Sequence, residues 1–198
     1  MKQVVDLALI PEDKYSEYRY DAIFKAYKWD PQVGDHNTVA KHVVMIDQET
    51  ARQLENYAEQ LSEETMLMEE SLINKPKLVK KLGFPGKIEK AIKRLSNYKR
   101  SQNVRLMRFD FHPTTNGWAV SEVNSDVPGG LAEASILPRL ACRFFDGCEP
   151  RKHVGHSILE AFSDKVNENG TIAFVHATSY SDDRQVMEFL SDYFLDHG

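Results

Sequence analysis

At Val104 the hydrophobic period of the chain changes, and that change limits the fold more than any other feature. Upstream, Leu54, Ala58, Leu61, Thr65, Met68 and Leu72 recur every three or four residues, the spacing of one helix face, within Asp47–Ile73. Downstream, residues 104–111 (VRLMRFDF) alternate, and so does Trp118–Val123; period two is the mark of a strand. Both periods in separate blocks exclude an all-helical or all-β chain and define an α+β class.

The rest of the organisation follows from punctuation. Asp47 is placed to cap the first helix, and Asn74-Lys75-Pro76 ends it. Leu78–Leu82 allows a short helical turn closed by Gly83 and Pro85, and Ile88, Ile92 and Leu95 predict a further amphipathic helix to about Arg100. These stripes are expected to face the core. His112–Gly117 is rich in turn formers and ends in Asn-Gly, so the two alternating segments predict a β-hairpin. Pro128-Gly129-Gly130 leads into an apolar helix over Leu131–Phe145, which Pro138 should kink or divide; another helix covers His153–Val166. After Asn169-Gly170, TIAFVHA predicts a buried strand, Thr178–Ser181 a turn, and Val186, Phe189, Leu190, Tyr193 and Phe194 a helix. That is the opening of an α/β unit. One strand and one helix cannot complete a parallel sheet, so the sequence is expected to be cut short or to pair with something. Three parts result: a mainly helical 1–103, a hairpin with helices at 104–168, and an incomplete α/β start at 169–198.

Over 198 residues, 41% are apolar and mean hydropathy is −0.49, enough for a core but not for a membrane protein. The opening residues carry one lysine, and Asp6 interrupts their short apolar stretch, which argues against a secretory signal. Cys142 and Cys148 are too few for a disulfide scaffold and lack zinc-ligand spacing. A soluble, cytoplasmic protein is expected, with no membrane partner. Net charge is only −5, yet Asn74–Arg105 holds 11 basic residues and one acid, Glu89, directly after an acid-rich helix. Two helices with attracting outer faces are the simpler reading. A nucleic-acid face is the sharper one, but no interleaved aromatics or known motif support it, so nucleic acid is not expected as a partner.

The chemistry gathers on the hairpin. Residues two apart on a strand share a face, so Arg108 pairs with Asp110, and Glu122 with Asn124. All four lie on one face if opposite residues sum to an even number, as with Arg108 against Glu122 and an odd-length loop; a slip by one separates the pairs. Two carboxylates and an amide oxygen suit Mg2+ held beside phosphates, and a guanidinium suits charge growing on a phosphoryl or acyl oxygen. A cross-strand salt bridge on a wet face explains the same spacing and stands beside that reading.

The string RFDF, followed by SEVNSDVPGG running into an apolar helix, resembles the circularly permuted ATP-grasp ligases of the glutathionylspermidine synthase-like family. The resemblance implies Asp110, Glu122 and Asn124 as magnesium ligands and Arg108 as the catalytic arginine, with Asp126 and Pro128 in the following loop. It implies ATP and Mg2+ as cofactors and small-molecule substrates, glutathione and a polyamine in the named enzyme, joined through an acyl phosphate. Gly129 and Gly130 are candidates for presenting N–H groups to an anionic substrate, or form only a turn and helix start. TIAFVHATSYSDDRQVMEFL resembles the nucleotide-fold portion that follows in the family, and Tyr27–Asp30 and Leu82–Pro85 are similar in character. The residues that hold ATP in this family lie beyond this chain, so the fragment alone is expected to be inactive. Pro128-Gly129-Gly130 stands where the spermidine enzymes have a Pro-Thr character, which leaves the acid and amine open. The rival reading is a truncated relative that binds a partner, or dimerises, through an unfinished sheet edge.

Other candidates read more plainly. His153-x-x-His156 lacks a third ligand and reads as surface histidines. Cys142 reads as a buried filler in an apolar helix. Asp110 with Glu122 as a hydrolase acid–base pair leaves Arg108 and Asn124 unexplained. Asp182-Asp183 suits the first turn of the last helix.

Overall fold

A computed structural model describes residues 5–95, 98–100, 104–125, 128–167, 170–177 and 179–197. Asp126, Asn169 and Thr178, each given a place in a loop or turn by the sequence, lie outside the described residues. The chain forms two compact units, Met1–Asp47 with Asp126–Gly198, and Gln48–Ser125. The second is a continuous segment set between the two pieces of the first, so contiguity in sequence does not define the units.

In the first unit, β1 (Val5–Leu9) pairs antiparallel with β4 (His42–Ile46). Between them run α1 (Glu12–Lys25) and a tight ribbon of β2 (Gln32–Val33) and β3 (His36–Asn37). Glu12 and Asp13 in the first turn of α1 and Lys25 in its last complement the helix dipole. Its Tyr15, Tyr18 and Ala22 are buried at helical spacing and meet Ile10, Ala26, Val39, Leu140 and Ala141 in the core. The buried Tyr15 hydroxyl donates to Val39 O at 2.6 Å, as burial of a phenol requires. Three more helices complete the unit: α5 (Leu131–Cys142), α6 (Val154–Ser163) and α7 (Ser181–His197). Val186, Phe189, Leu190 and Phe194 form the buried face of α7, as the sequence predicts, with Asp182 and Asp183 in its first turn.

The second unit holds α2 (Gln48–Ile73), α3 (Pro76–Lys81), α4 (Gly86–Lys93) and the ribbon of β5 (Arg108–Thr114) with β6 (Gly117–Asn124). The stripe on α2 is only partly covered: Leu54, Ala58, Leu61, Thr65 and Leu72 are half-buried, and Met68 is exposed. Tyr57 of α2 meets Phe111 of β5 at 6.4 Å between ring centres, which seats the ribbon on the helix. The attraction between acidic and basic segments is present, but its cations follow α4 rather than lying on it. Arg100 pairs with Glu63 at 2.6 Å, and Arg105 with Glu69.

Several expectations are corrected. TIAFVHA forms no strand ladder among the described residues, and Val175 is 83% exposed. Its residues favour a strand, but among the described residues no neighbouring strand takes up their N–H and C=O groups. The observed fold is thus α+β with small antiparallel ribbons. Pro138 sits inside α5 without dividing it. The predicted helix to Arg100 ends at Lys93. Cys142 is not a filler: it is disulfide-bonded to Cys148, with 5.1 Å between Cα atoms. Gly147, at φ 72°, reverses the chain and returns Cys148 to the last turn of α5, a geometry that a count of cysteines does not reveal.

Candidate functional site

The hairpin gains its geometry from a compensated error in register. Its loop is the two-residue Thr115-Asn116, shorter than the predicted turn, because His112, Pro113 and Thr114 belong to β5 and face Ala119, Trp118 and Gly117. Pro113 is tolerated because both edges of a two-stranded ribbon are open. Thr114 supports the loop by donating to Gly117 O at 2.7 Å, and Gly117 takes φ 107°, which a side chain would resist.

Near this even-length loop, opposite residues sum to an odd number, the parity that would put Arg108 and Asp110 on one face and Glu122 and Asn124 on the other. A register shift then falls between Asp110 and Phe111: Phe111 faces Val120, Asp110 faces Glu122, and Ser121 is left over as a bulge. Beyond it the parity is even, and Arg108 faces Asn124. The four residues therefore share a face, but with Asp110 rather than Arg108 opposite Glu122.

On that face Arg108 grips Asp110 along the strand, Nε to Oδ1 at 2.9 Å and Nη2 to Oδ2 at 3.3 Å. That hydrogen-bonded contact, opposed by slight desolvation and aided by the charges of Asp110 and Glu122, raises the guanidinium pKa above its ordinary value. Arg108 is 43% exposed and Asp110 34%, and a pair so exposed contributes about 0.2–1 kcal/mol. The salt-bridge alternative thus exists within β5, not across to Glu122. It is too weak to account for a bulge and leaves Glu122 without an ion pair among the described residues. The bulge makes its own contact: Ser121 Oγ lies 2.7 Å from His112 Nε2 and 3.4 Å from Asp110 O.

Chemically the face offers two carboxylates, an amide and a guanidinium. Among the described residues no three His, Cys, Asp or Glu side chains are grouped to hold a metal ion. A cation here needs the Asn124 amide oxygen as third donor. The set fits a hard ion that retains water, and each Asp110 oxygen has a second lone pair beyond its bond to Arg108. Gly129 and Gly130 belong to the other compact unit. Gly130 is the residue before α5, at φ 80°, so the turn-and-helix-start role is present there. His153 and His156 are not a ligand pair. His153 Nδ1 caps α6 by accepting from His156 N at 3.3 Å, and His156 lies 3.4 Å from Glu160.

Sequence reasoning missed a second polar cluster, in the first unit. Lys28 Nζ lies 2.8 Å from Asp30 and 3.4 Å from Glu133, and Gln185 donates to the same Glu133 oxygen at 2.9 Å. Burial works against the Lys28 charge, but the two carboxylates outweigh it and hold its pKa above the ordinary lysine value. Glu133 Oε2 is buried without a hydrogen-bond partner among the described residues. Beside it Tyr27 adopts φ 55°, unusual for a residue with a side chain, and donates to Asp192 at 2.6 Å. The sequence marks Tyr27–Asp30 only as a segment; partners more than a hundred residues away leave no local signal.

Helices with small antiparallel ribbons, one bearing an oxygen-donor face with an arginine, define a mixed α+β class. The family model described as glutathionylspermidine synthase preATP-grasp matches residues 14–198. The chain belongs to that family, as its RFDF and SEVN strings suggest. No curated protein sequence matches it significantly. Among the described residues no helix is long and apolar enough to cross a membrane.

Proposed function

We propose that this chain supplies part of the active site of an ATP- and Mg2+-dependent carboxylate–amine ligase with a permuted ATP-grasp arrangement. The observation that carries the reading is the bulge at Ser121, which brings Arg108, Asp110, Glu122 and Asn124 to one face. Asp110, Glu122 and Asn124 would hold Mg2+, which offsets phosphate charge when bound. Arg108, pre-positioned by Asp110, would stabilise the transferring phosphoryl group and the tetrahedral carbon centre that follows. The carboxylate takes the γ-phosphoryl group of ATP and releases ADP; the amine then attacks, loses a proton and expels phosphate, leaving an amide. Acid and amine are small molecules, with glutathione and a polyamine as the first pair to try. Gly129 and Gly130 join the reading as a weak anion contact. The residues that hold ATP are assigned to sequence beyond this chain, which is then inactive alone. The cytoplasm is the compartment proposed, where thiol reductants would act on the Cys142–Cys148 bridge.

Asp110→Asn in the native-length protein tests this. Magnesium-dependent ATP turnover should fall about 100-fold or more, of the order of losing one transition-state donor. Unchanged turnover would remove the metal site. A second reading, a non-catalytic binding module, is favoured by the exposed Val175 and the open β1–β4 ribbon. It predicts a stable oligomer, such as a homodimer, by light scattering; a monomer with ligase activity sinks it.

A further inference from the structure

The acids of α2 take their cations from the far end of the basic segment, at Arg100 and Arg105. Neutralisation stops there. From Lys75 to Arg94, across α3 and α4, eight basic residues stand against one acid, Glu89, and all eight are exposed. None of the eight pairs with a carboxylate among the described residues. The same stretch exposes large apolar side chains: Leu78 is 39% exposed, Leu82 53%, Phe84 39% and Ile88 47%. Helix α4 buries no residue, although Ile88 and Ile92 lie one turn apart on one of its faces.

Water explains the lysines but not the aliphatic chains among them. Nucleic-acid phosphates would satisfy the lysines too, but a single strand also calls for stacking aromatics, of which Phe84 is the sole one between Lys75 and Arg94, and duplex phosphates leave the aliphatic chains in water. An acidic lipid surface satisfies both kinds of side chain. Amphipathic basic helices lie in the headgroup plane with apolar residues in the acyl boundary and lysines on anionic headgroups. We propose that α3 and α4 form a peripheral docking surface for anionic lipid, with Leu82, Phe84 and Ile88 entering the interface and the flanking lysines meeting the acidic headgroups. The contact lies on the bilayer and does not span it.

The test is sedimentation of the whole chain with phosphatidylcholine vesicles, with and without about one quarter phosphatidylserine. Binding is expected only to the acidic vesicles and should weaken as salt rises from about 0.1 to about 0.5 M. The double substitution Lys87→Glu, Lys90→Glu and the single substitution Ile88→Ser should each lower partitioning about tenfold. All three positions are exposed, so circular dichroism and melting should match the parent chain. The proposal is overturned by absence of binding to acidic vesicles, or by an Ile88→Ser chain that binds as the parent does. Duplex DNA or RNA that displaces the vesicles, or a dimer that the same substitutions dissolve, overturns it equally. Helices α3 and α4 carry none of the proposed ligase residues, so failure here leaves that reading standing.

Discussion

The two longer ribbons, β1–β4 and β5–β6, are built alike and present opposite surfaces. The first keeps one register throughout and exposes Leu7, Leu9, Val44 and Ile46, of which Leu7 is 68% exposed. Its security comes from beneath: Ile10, fully buried, donates its N–H to Lys41 O at 2.9 Å, and Val43 packs on the core. The second ribbon breaks register to bring charges to one face. An antiparallel pair that serves packing needs no irregularity. One that must bring four polar side chains together can require it, and the bulge at Ser121 is then part of the site.

Three experiments would break or sharpen this contrast. Whereas deleting Ser121 only closes the bulge and keeps Asp110 opposite Glu122, deleting Val123 makes Asn124 the neighbour of Glu122 and sends Asn124 to the face opposite Asp110. Ligase turnover by the native-length protein should then fall at least as far as for Asp110→Asn, about 100-fold or more, while melting of the first unit is unchanged. Retained turnover would separate the shared face from function. Next, Ile10→Ala should cost about 2–5 kcal/mol, whereas Leu7→Ser, in the strand beside it, should stay within about 0.5 kcal/mol by chemical denaturation. Equal costs would mean that the apolar ribbon face is covered in solution. The smallest effect is a titration. Burial, aided by Arg139, His197 and His156, lowers the His153 pKa, so the folded state resists protonation there. Its stabilising contribution is complete above the unfolded histidine value of about 6.5 and is lost as pH falls through the lower folded value. Melting temperature should drop between about pH 7 and pH 5, and His153→Asn, which keeps a capping oxygen, should flatten that drop.

What the sequence made legible was whatever is local. The stripe on α2 and the alternation around Arg108 and Glu122 follow from backbone periods, and even numbering sufficed to suspect one shared face. The loop is shorter than its residues suggest because Pro113 and Thr114 resemble turn formers, and a single bulge conceals one misplaced step from any count. Helix α1 carries Tyr15, Tyr18 and Ala22 at helical spacing, but its covering partners Leu140 and Ala141 lie far along the chain, where no local pattern shows them. TIAFVHA shows the reverse: strong strand preference is not a strand without a partner. The Lys28–Glu133 cluster and the Cys142–Cys148 bridge depend on tertiary closure, which no window of residues contains.

The discontinuity of the first unit bears on how the chain leaves the ribosome. Synthesis at about 5–20 residues per second delivers β1 and α1 several seconds before Leu140 and Ala141, against which Tyr18 and Ala22 must close. Throughout that interval Gln48–Ser125 emerges with all the partners of its own fold already at hand. The inserted unit can therefore condense first, and the early strand and helix must wait with Ile10 and Tyr18 uncovered. A nascent chain of this design offers chaperones a defined apolar segment, and withdraws it only when α5 is complete.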